Sequence, residues 1–391
     1  MITTNYTFKK WAKKDQMSKI SEEGKKRILE FNRYRKDFHY KSTFMLLLYT
    51  SSSDNPSCRN TSIDMLNDNI GRAILGHHCD HKGKKRIHHS HVARLLQAFP
   101  IRNLEETAIN LCQQYLKNSG ISKDMQYKMI DSTTIPLNKH LYPEEWANFR
   151  STKSGIKMHL AAIYVDGKAI IPDNMEMTDA KTNDSQVLDF FTTEPGMTYV
   201  FDRSYPSYDV INKLTNAGMY FVTRCKDNFI VNDSNIKYSK LQPKEAGVVL
   251  EDGLVSLGIQ DNKHKHTDAV RFIRYKTKDG KVYTYLTNRF DLDAYTVAQM
   301  YKNRWLIELL FKHLKGSMAL NHALSRDEEC VKKQLYLILI SVLLTELMLL
   351  KINQRYHHQT SFQKLSRVLH ALWFEDWEVF LIAIKDKRIF V

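Results

Sequence analysis

The chain is 391 residues long and carries 58 Lys and Arg against 43 Asp and Glu, a formal net charge of +15 at pH 7. Its 43% hydrophobic and 26% charged fractions exclude chain-wide disorder, and its 14 Gly and 8 Pro exclude collagen-like or low-complexity architecture. The length allows two or three domains around a sizeable core, and the basic excess favours a polyanionic partner, nucleic acid or an anionic membrane surface.

Residues 1–120 read as helical and basic. Met1–Lys14 has no long apolar stretch, so no secretory leader is expected. Lys9–Tyr40 is dense in Lys and Arg with apolar residues interspersed, Ser51–Pro56 is a polar break, and Asn60–Leu75 and His88–Leu116 read as further helices. Residues 1–115 hold 20 Lys and Arg against 11 Asp and Glu, so most of the net charge falls here. Arg86–Phe99 could be a recognition helix or a structural helix with a solvated face; no helix-turn-helix signal decides. His77, His78, Cys79 and His81, with His88, His89 and His91, offer nitrogen and sulfur ligands, but at no standard zinc spacing. Lys82, Lys84, Lys85 and Arg86 lie between the two clusters and favour phosphate over zinc.

The texture changes at Gln126. Tyr127–Ile135, Lys157–Val165 and Lys168–Pro172 read as strands, the last two joined by a hairpin turn at Asp166-Gly167. Ala180–Phe191 reads as a helix, Met197–Phe201 as a strand, Tyr208–Ala217 as a helix closed by Gly218, and Met219–Thr223 as a strand. This order predicts an α/β fold, a mixed sheet with helices on its faces. Residues 229–288 read as an all-β insertion with strands at Gly247–Leu257, Ala269–Lys276 and Lys281–Leu286. Leu292–Lys315 reads as one long helix, and Val331–Ile352 and Ser361–Ile384 as C-terminal helices. The apolar run Leu335–Leu350 is shorter than the roughly 20 residues of a membrane span and is interrupted by Thr345 and Glu346, so a buried core helix is expected and a membrane is not. Five scattered cysteines without a CxxC suit a reducing cytoplasm.

Three acidic positions stand out. Asp131 sits inside the first strand, in Met-Ile-Asp-Ser-Thr-Thr-Ile, and Asp202 follows Tyr199-Val200-Phe201 at a strand end, where open sheets place their ligands. On the late helix, Tyr301, Arg304, Glu308 and Lys315 have offsets of 0, 3, 7 and 14 and share an arc of about 60°. A solvated ion-pair face accounts for the charges but not for the tyrosine. Three carboxylates converging at a sheet edge could hold two Mg²⁺ ions, which prefer hard oxygen ligands, for work on a phosphodiester. Arg304 and Lys315 would grip flanking phosphates. Lys153, Lys157 and His159 are further candidates for phosphate contacts, and Trp305 is expected to pack in the core.

The carboxylate order resembles the RNase H-like, or retroviral integrase-like, catalytic core. Tyr301-x2-Arg304-x3-Glu308-x6-Lys315 resembles the YREK signature of IS4-family DDE transposases, and Asp131 in Ile-Asp-Ser-Thr and Asp202 in Phe-Asp-Arg-Ser-Tyr resemble that family's first two acidic motifs. Trp146-x2-Phe149-Arg150-x-Thr152-Lys153-x-Gly155-x-Lys157-x-His159 is similar to the family's segment between the first two strands. The likeness runs from about residue 126 to 320. It implies a cut-and-paste insertion-sequence transposase of the bacterial cytoplasm and nucleoid. By that resemblance Asp131, Asp202 and Glu308 hold two Mg²⁺ ions, for which Mn²⁺ substitutes, while Tyr301, Arg304 and Lys315 position transposon-end DNA. The implied partners are double-stranded transposon ends and target DNA, with a homodimer in the synaptic complex. The implied chemistry is nicking, hairpin formation by the 3′-hydroxyl, hairpin opening and strand transfer.

The expected organisation is a helical, basic DNA-end-binding domain over 1–120, a catalytic core over 121–228 and 289–325, a β-rich insertion over 229–288 and a C-terminal helical region over 326–391. Two departures weaken parts of the resemblance. Ser204 stands where the family's second motif has Gly, and the insertion has no Trp to receive a flipped base, leaving Tyr238, Tyr275, Tyr283 or Tyr285 for that role. A catalytically inactive DNA-binding relic and another RNase H-like nuclease are the alternative readings.

Overall fold

A computed structural model of the protein describes residues 6–12, 20–36, 38–53, 55–75, 87–122, 126–142, 145–150, 153–165, 169–235, 243–244, 247–259, 266–317, 323–356 and 360–385. Among the described residues, seven helices precede the sheet: α1 (Thr7–Trp11), α2 (Glu22–Asn32), α3 (Tyr40–Ser52), α4 (Cys58–Asp64), α5 (Asp68–Leu75), α6 (His89–Ala98) and α7 (Ile101–Ser119). Capping explains several starts. Ser21 accepts the Gly24 N–H ahead of α2, and Ser57 accepts the Arg59 and Asn60 N–H groups ahead of α4. Gly120, at φ +70°, supplies the left-handed residue that closes α7. Residues 76–86, which hold much of the His-rich segment, lie outside the described residues.

The core strands are β1 (Gln126–Leu137), β2 (Asn148–Arg150), β3 (Lys153–Val165), β4 (Ala169–Asp179), β5 (Thr198–Phe201) and β6 (Tyr220–Arg224). β3 and β4 form the expected hairpin, with Val165 opposite Ala169; the turn residues 166–168 are outside the described set. Helices α8 (Leu188–Phe191) and α9 (Tyr208–Asn216) fall between strands. The expected helix over Ala180–Phe191 is instead a turn, a 3₁₀ segment at Asp184–Gln186 and the four residues of α8. Asn183 starts that tight segment by accepting the Ser185 N–H.

Strands β7 (Val231–Asn235), β8 (Pro243–Lys244), β9 (Gly247–Gly258), β10 (His266–Thr277) and β11 (Val282–Thr287) form the β-rich segment. They do not stand apart: β11 pairs antiparallel with β6, so the sheet continues as β2-β3-β1-β5-β6-β11-β10-β9-β7, with β4 on β3 and β8 on β9, 11 strands among the described residues. Arg271 of β10 ties this extension to the returning chain. Its guanidinium pairs with Asp252 at 2.7 Å, donates to the Arg289 carbonyl at 2.9 Å and also to the Leu292 carbonyl.

The chain then enters α10 (Ala294–Asn303) and α11 (Trp305–Ser317), followed by α12 (Glu328–Tyr356), α13 (Phe362–Leu372) and α14 (Trp377–Lys385). Strand alternation buries both sheet faces. Ile130, Tyr199, Phe201 and Phe221 pack with Leu188, Phe191, Ile211 and Leu214 from α8 and α9. Met129, Met158, Leu160, Val200 and Val222 share the other core with residues of α3, α7, α11 and α12. Among the described residues one helix, Glu328–Arg355, is long and apolar enough to cross a membrane, and 89% of its apolar window is buried inside the fold.

Candidate active site

Strand register brings two carboxylates to one level. β1 runs parallel to β5 through Lys128–Tyr199, Met129–Val200 and Ile130–Phe201. The next residues, Asp131 and Asp202, leave that paired stretch side by side. Because side chains alternate, both follow Met129 and Val200 onto the face that α11 covers. The Tyr205 N–H donates to the Asp202 carbonyl at 3.1 Å, closing a tight turn through Arg203 and Ser204 that ends β5.

The third carboxylate arrives on α11. The chain does not form one helix over Leu292–Lys315: it breaks at Arg304, whose N–H bonds back to Tyr301 O at 3.1 Å while the Ile307 N–H bonds to Arg304 O at 3.1 Å. No Gly or Pro marks the break. Tyr301 and Arg304 at the end of α10 and Glu308 in the first turn of α11 still face the sheet together. Arg304 Nη1 donates to Asp131 Oδ2 at 2.6 Å, and Nη2 donates to Glu308 Oε1. The Tyr301 hydroxyl donates to Asp202 Oδ1 at 3.1 Å.

Asp131, Asp202, Arg304 and Glu308 line an open cleft of about 700 Å³, together with Ser132, Thr133, Phe311, Lys312, Lys315 and Gly316. Lys312 was missed in the sequence, although one helical turn separates it from both Glu308 and Lys315. Trp305 is 59% exposed rather than buried in the core, because the break at Arg304 turns α11's apolar stripe onto Ile307, Leu310, Phe311 and Leu314.

Burial dominates the electrostatics. It pushes the Asp131 carboxyl up to about 6, against the pull of Arg304 and the Ser132 N–H and with the help of Glu308 and Asp202. Burial disfavours the charge on Arg304, but Asp131, Tyr301 and Glu308 outweigh it and raise its pKa. Burial also raises Tyr301 to about 12 and lowers Lys315.

The donor set suits a hard divalent cation: three carboxylates face one open cleft, and one of them is both desolvated and crowded by like charge. Among the described residues no three acidic, His or Cys side chains stand close enough to hold a metal as placed; the Arg304 guanidinium lies between Asp131 and Glu308.

Two of the candidates on β3, Lys157 and His159, do not join this cleft. Lys157 lies opposite Thr134 and His159 opposite Ser132, one residue out of phase with Asp131, so the pleat turns them to the other face. His159 is wholly buried, bonds Thr178 Oγ1 at 2.9 Å and has its pKa lowered to about 4 by burial. It has no surface to offer a phosphate. Lys157 is spent on the Thr182 carbonyl at 2.7 Å and Asp184 at 3.2 Å. The Lys153 side chain lies outside the described set. Of the tyrosines considered for base stacking, Tyr275 and Tyr285 are buried, Tyr238 is outside the described residues, and Tyr283 keeps a partly open position with Arg224 4.9 Å over its ring.

A sheet ordered β4-β3-β1-β5-β6, antiparallel up to β1 and parallel from β1 to β6, with acidic residues on β1, just after β5 and on a late helix, is an RNase H-like core. Residues 123–344 match the family described as Transposase DDE domain, and the chain belongs to that family. It is similar to y4zB of Sinorhizobium fredii, named as a transposase, with 31% identity over 242 residues, 62% of this chain and 66% of that one. It is also similar to a protein of Geobacillus stearothermophilus named for transposition of insertion sequence element IS5377, with 25% identity and 67% of each chain covered. The chain spans about two thirds of the length of these relatives. A solved piggyBac transposase synaptic complex with hairpin DNA aligns over 98% of this chain and 83% of its own at 12% identity and a TM-score of 0.45, too loosely to bear on fold or chemistry.

Proposed function

We propose that the chain is a Mg²⁺-dependent insertion-sequence transposase that cleaves transposon ends and transfers them into target DNA. The observation that carries this reading is the single cleft in which Arg304 spans Asp131 and Glu308 while Tyr301 caps Asp202. Asp131, Asp202 and Glu308 would hold the metal, with Mn²⁺ a substitute. Bound there, the ions supply Lewis acidity to the phosphodiester and stabilise the attacking and leaving oxygens.

The chain's own residues do the rest. Lys312 and Lys315 line the cleft with positive charge and would hold flanking phosphates as point charges. Arg304 fixes the spacing of two carboxylates with one planar group, and the Tyr301 hydroxyl orients Asp202. The basic helices of 1–120 would hold the transposon ends, and two copies would join two ends in the cytoplasm, on nucleoid DNA. For a hairpin step, Tyr283 beneath Arg224 would be the face on which a displaced base stacks.

The test is a cleavage assay on DNA flanking the gene, with Mg²⁺ and full-length protein. Asp131→Asn, Asp202→Asn and Glu308→Gln are each expected to abolish strand cleavage while DNA binding stays within about twofold, since the lost interactions serve only the reacting state. Cleavage by Glu308→Gln at the wild-type rate would overturn the assignment.

A further inference from the structure

We propose that Asp184 is a positioning residue for Asp131, acting through Ser132 from the opposite face of the sheet. This inference rests on the reading of Asp131 as a catalytic carboxylate.

The face of β1 and β3 opposite the cleft is apolar where Ile130 and Ala161 meet Val187, Leu188 and Phe191. It turns polar at the register of Asp131, where Ser132 and Thr134 on β1 lie opposite His159 and Lys157 on β3. Asp184, from the 3₁₀ segment between β4 and α8, closes over this polar patch. It accepts the Ser132 hydroxyl at 2.8 Å, pairs with Lys157 at 3.2 Å and stands 3.6 Å from His159 Nδ1. Tyr205, from the turn that follows Asp202, is buried beside the same carboxylate, and its phenol pKa is raised by burial and then by Asp184 and Asp131.

Ser132 therefore works on both sides of the sheet. Its side chain is anchored to Asp184 behind β1, and its backbone N–H donates to Asp131 Oδ1 at 2.9 Å in front. A carboxylate that must bind a cation at fixed geometry needs its own orientation fixed, and hydrogen-bonded partners one layer out commonly set metal affinity. Lys157 balances the charge of Asp184, which is only 19% exposed. With Asp184 absent, the Ser132 side chain loses its anchor, and the strand that presents Asp131 gains freedom at that residue.

The experiment uses full-length protein and reads Mn²⁺ binding by electron paramagnetic resonance of free Mn²⁺, beside DNA cleavage and duplex binding. Asp184→Ala and Ser132→Ala are each expected to weaken Mn²⁺ binding by about 10–100-fold and to slow cleavage, with duplex binding within about twofold. Asp184→Asn, which keeps an acceptor for Ser132, should recover part of the loss. The double variant should bind Mn²⁺ no more weakly than the more severe single variant. A folded Asp184→Ala protein with wild-type Mn²⁺ affinity overturns the proposal, as does additivity in the double variant. If Asp184→Ala does not fold, Ser132→Ala decides, since it removes one hydroxyl only. Glu308→Gln is the control: if it is inactive while Asp184→Ala behaves as wild type, only this proposal fails, whereas an active Glu308→Gln overturns the reading of the cleft itself.

Discussion

Arg304 is the residue on which the cleft's geometry turns. Its guanidinium meets Asp131 and Glu308 with different nitrogens. Lysine keeps the charge but lacks the planar fork whose separate nitrogens set the spacing of the two carboxylates. Arg304→Lys should therefore slow end cleavage by roughly tenfold or more while leaving duplex binding nearly unchanged. Equal losses in cleavage and binding would show that Arg304 contributes only charge. Tyr301, Arg304, Glu308 and Lys315 were legible because helical spacing is regular and a phenol within a charged stripe is unusual. Lys157 and His159 were misplaced because the sequence shows alternation but not its phase relative to Asp131, and only the β1–β3 register fixes that phase. Asp184 left no signal at all: a lone Asp in a turn has no spacing that points to Ser132, 52 positions away.

Elements carry a second set of consequences. The longer strands were readable from their apolar patterning, but the short β2, β7 and β8 were not, nor was the break between α10 and α11, which depends on packing against the sheet and not on a local breaker residue. In α12, Glu346 is deeply buried, and burial raises its carboxyl from the ordinary 4.5 to about 8. The folded state thus keeps this proton over a pH range in which the unfolded chain has released it. Its favourable contribution is complete below about pH 4.5 and is lost as pH rises to about 8 and beyond. Denaturant titrations should show stability falling across that window, by at most about 1.4 kcal/mol per pH unit from this group, and Glu346→Gln should remove the slope. An unchanged slope in the variant would place the titrating group elsewhere. At the start of β9, Gly247 has φ +148°, and a Cβ there would lie 2.4 Å from the Tyr275 hydroxyl and 2.5 Å from the Lys276 carbonyl. Gly247→Ala should lower stability by about 1–3 kcal/mol, measured by thermal melting.

At the scale of the whole molecule, the basic excess becomes a statement about partners. If residues 1–120 and the cleft together cover six or more phosphates, duplex affinity should drop by about 10³-fold or more between 50 and 200 mM salt. A near-flat salt dependence, read by fluorescence anisotropy, would deny the N-terminal helices that role. The sequence suggested a β-rich unit inserted into the core; strand pairing shows it as an extension of the same sheet, which no local pattern could reveal, since β11 meets β6 across some 60 residues. That continuity bears on the order of events during synthesis. Asp131 and Asp202 leave the ribosome early, but Glu308 follows only after the sheet extension has emerged. The extension lies between β6 and α10 in the chain and is tied to the returning segment through Arg271, so Glu308 reaches β1 only by way of it. A nascent chain, or a shortened copy ending before residue 308, would carry two of the three carboxylates and the basic helices. It would also lack α12, the helix against which α3 and α7 pack, so its N-terminal helices should not hold their fold.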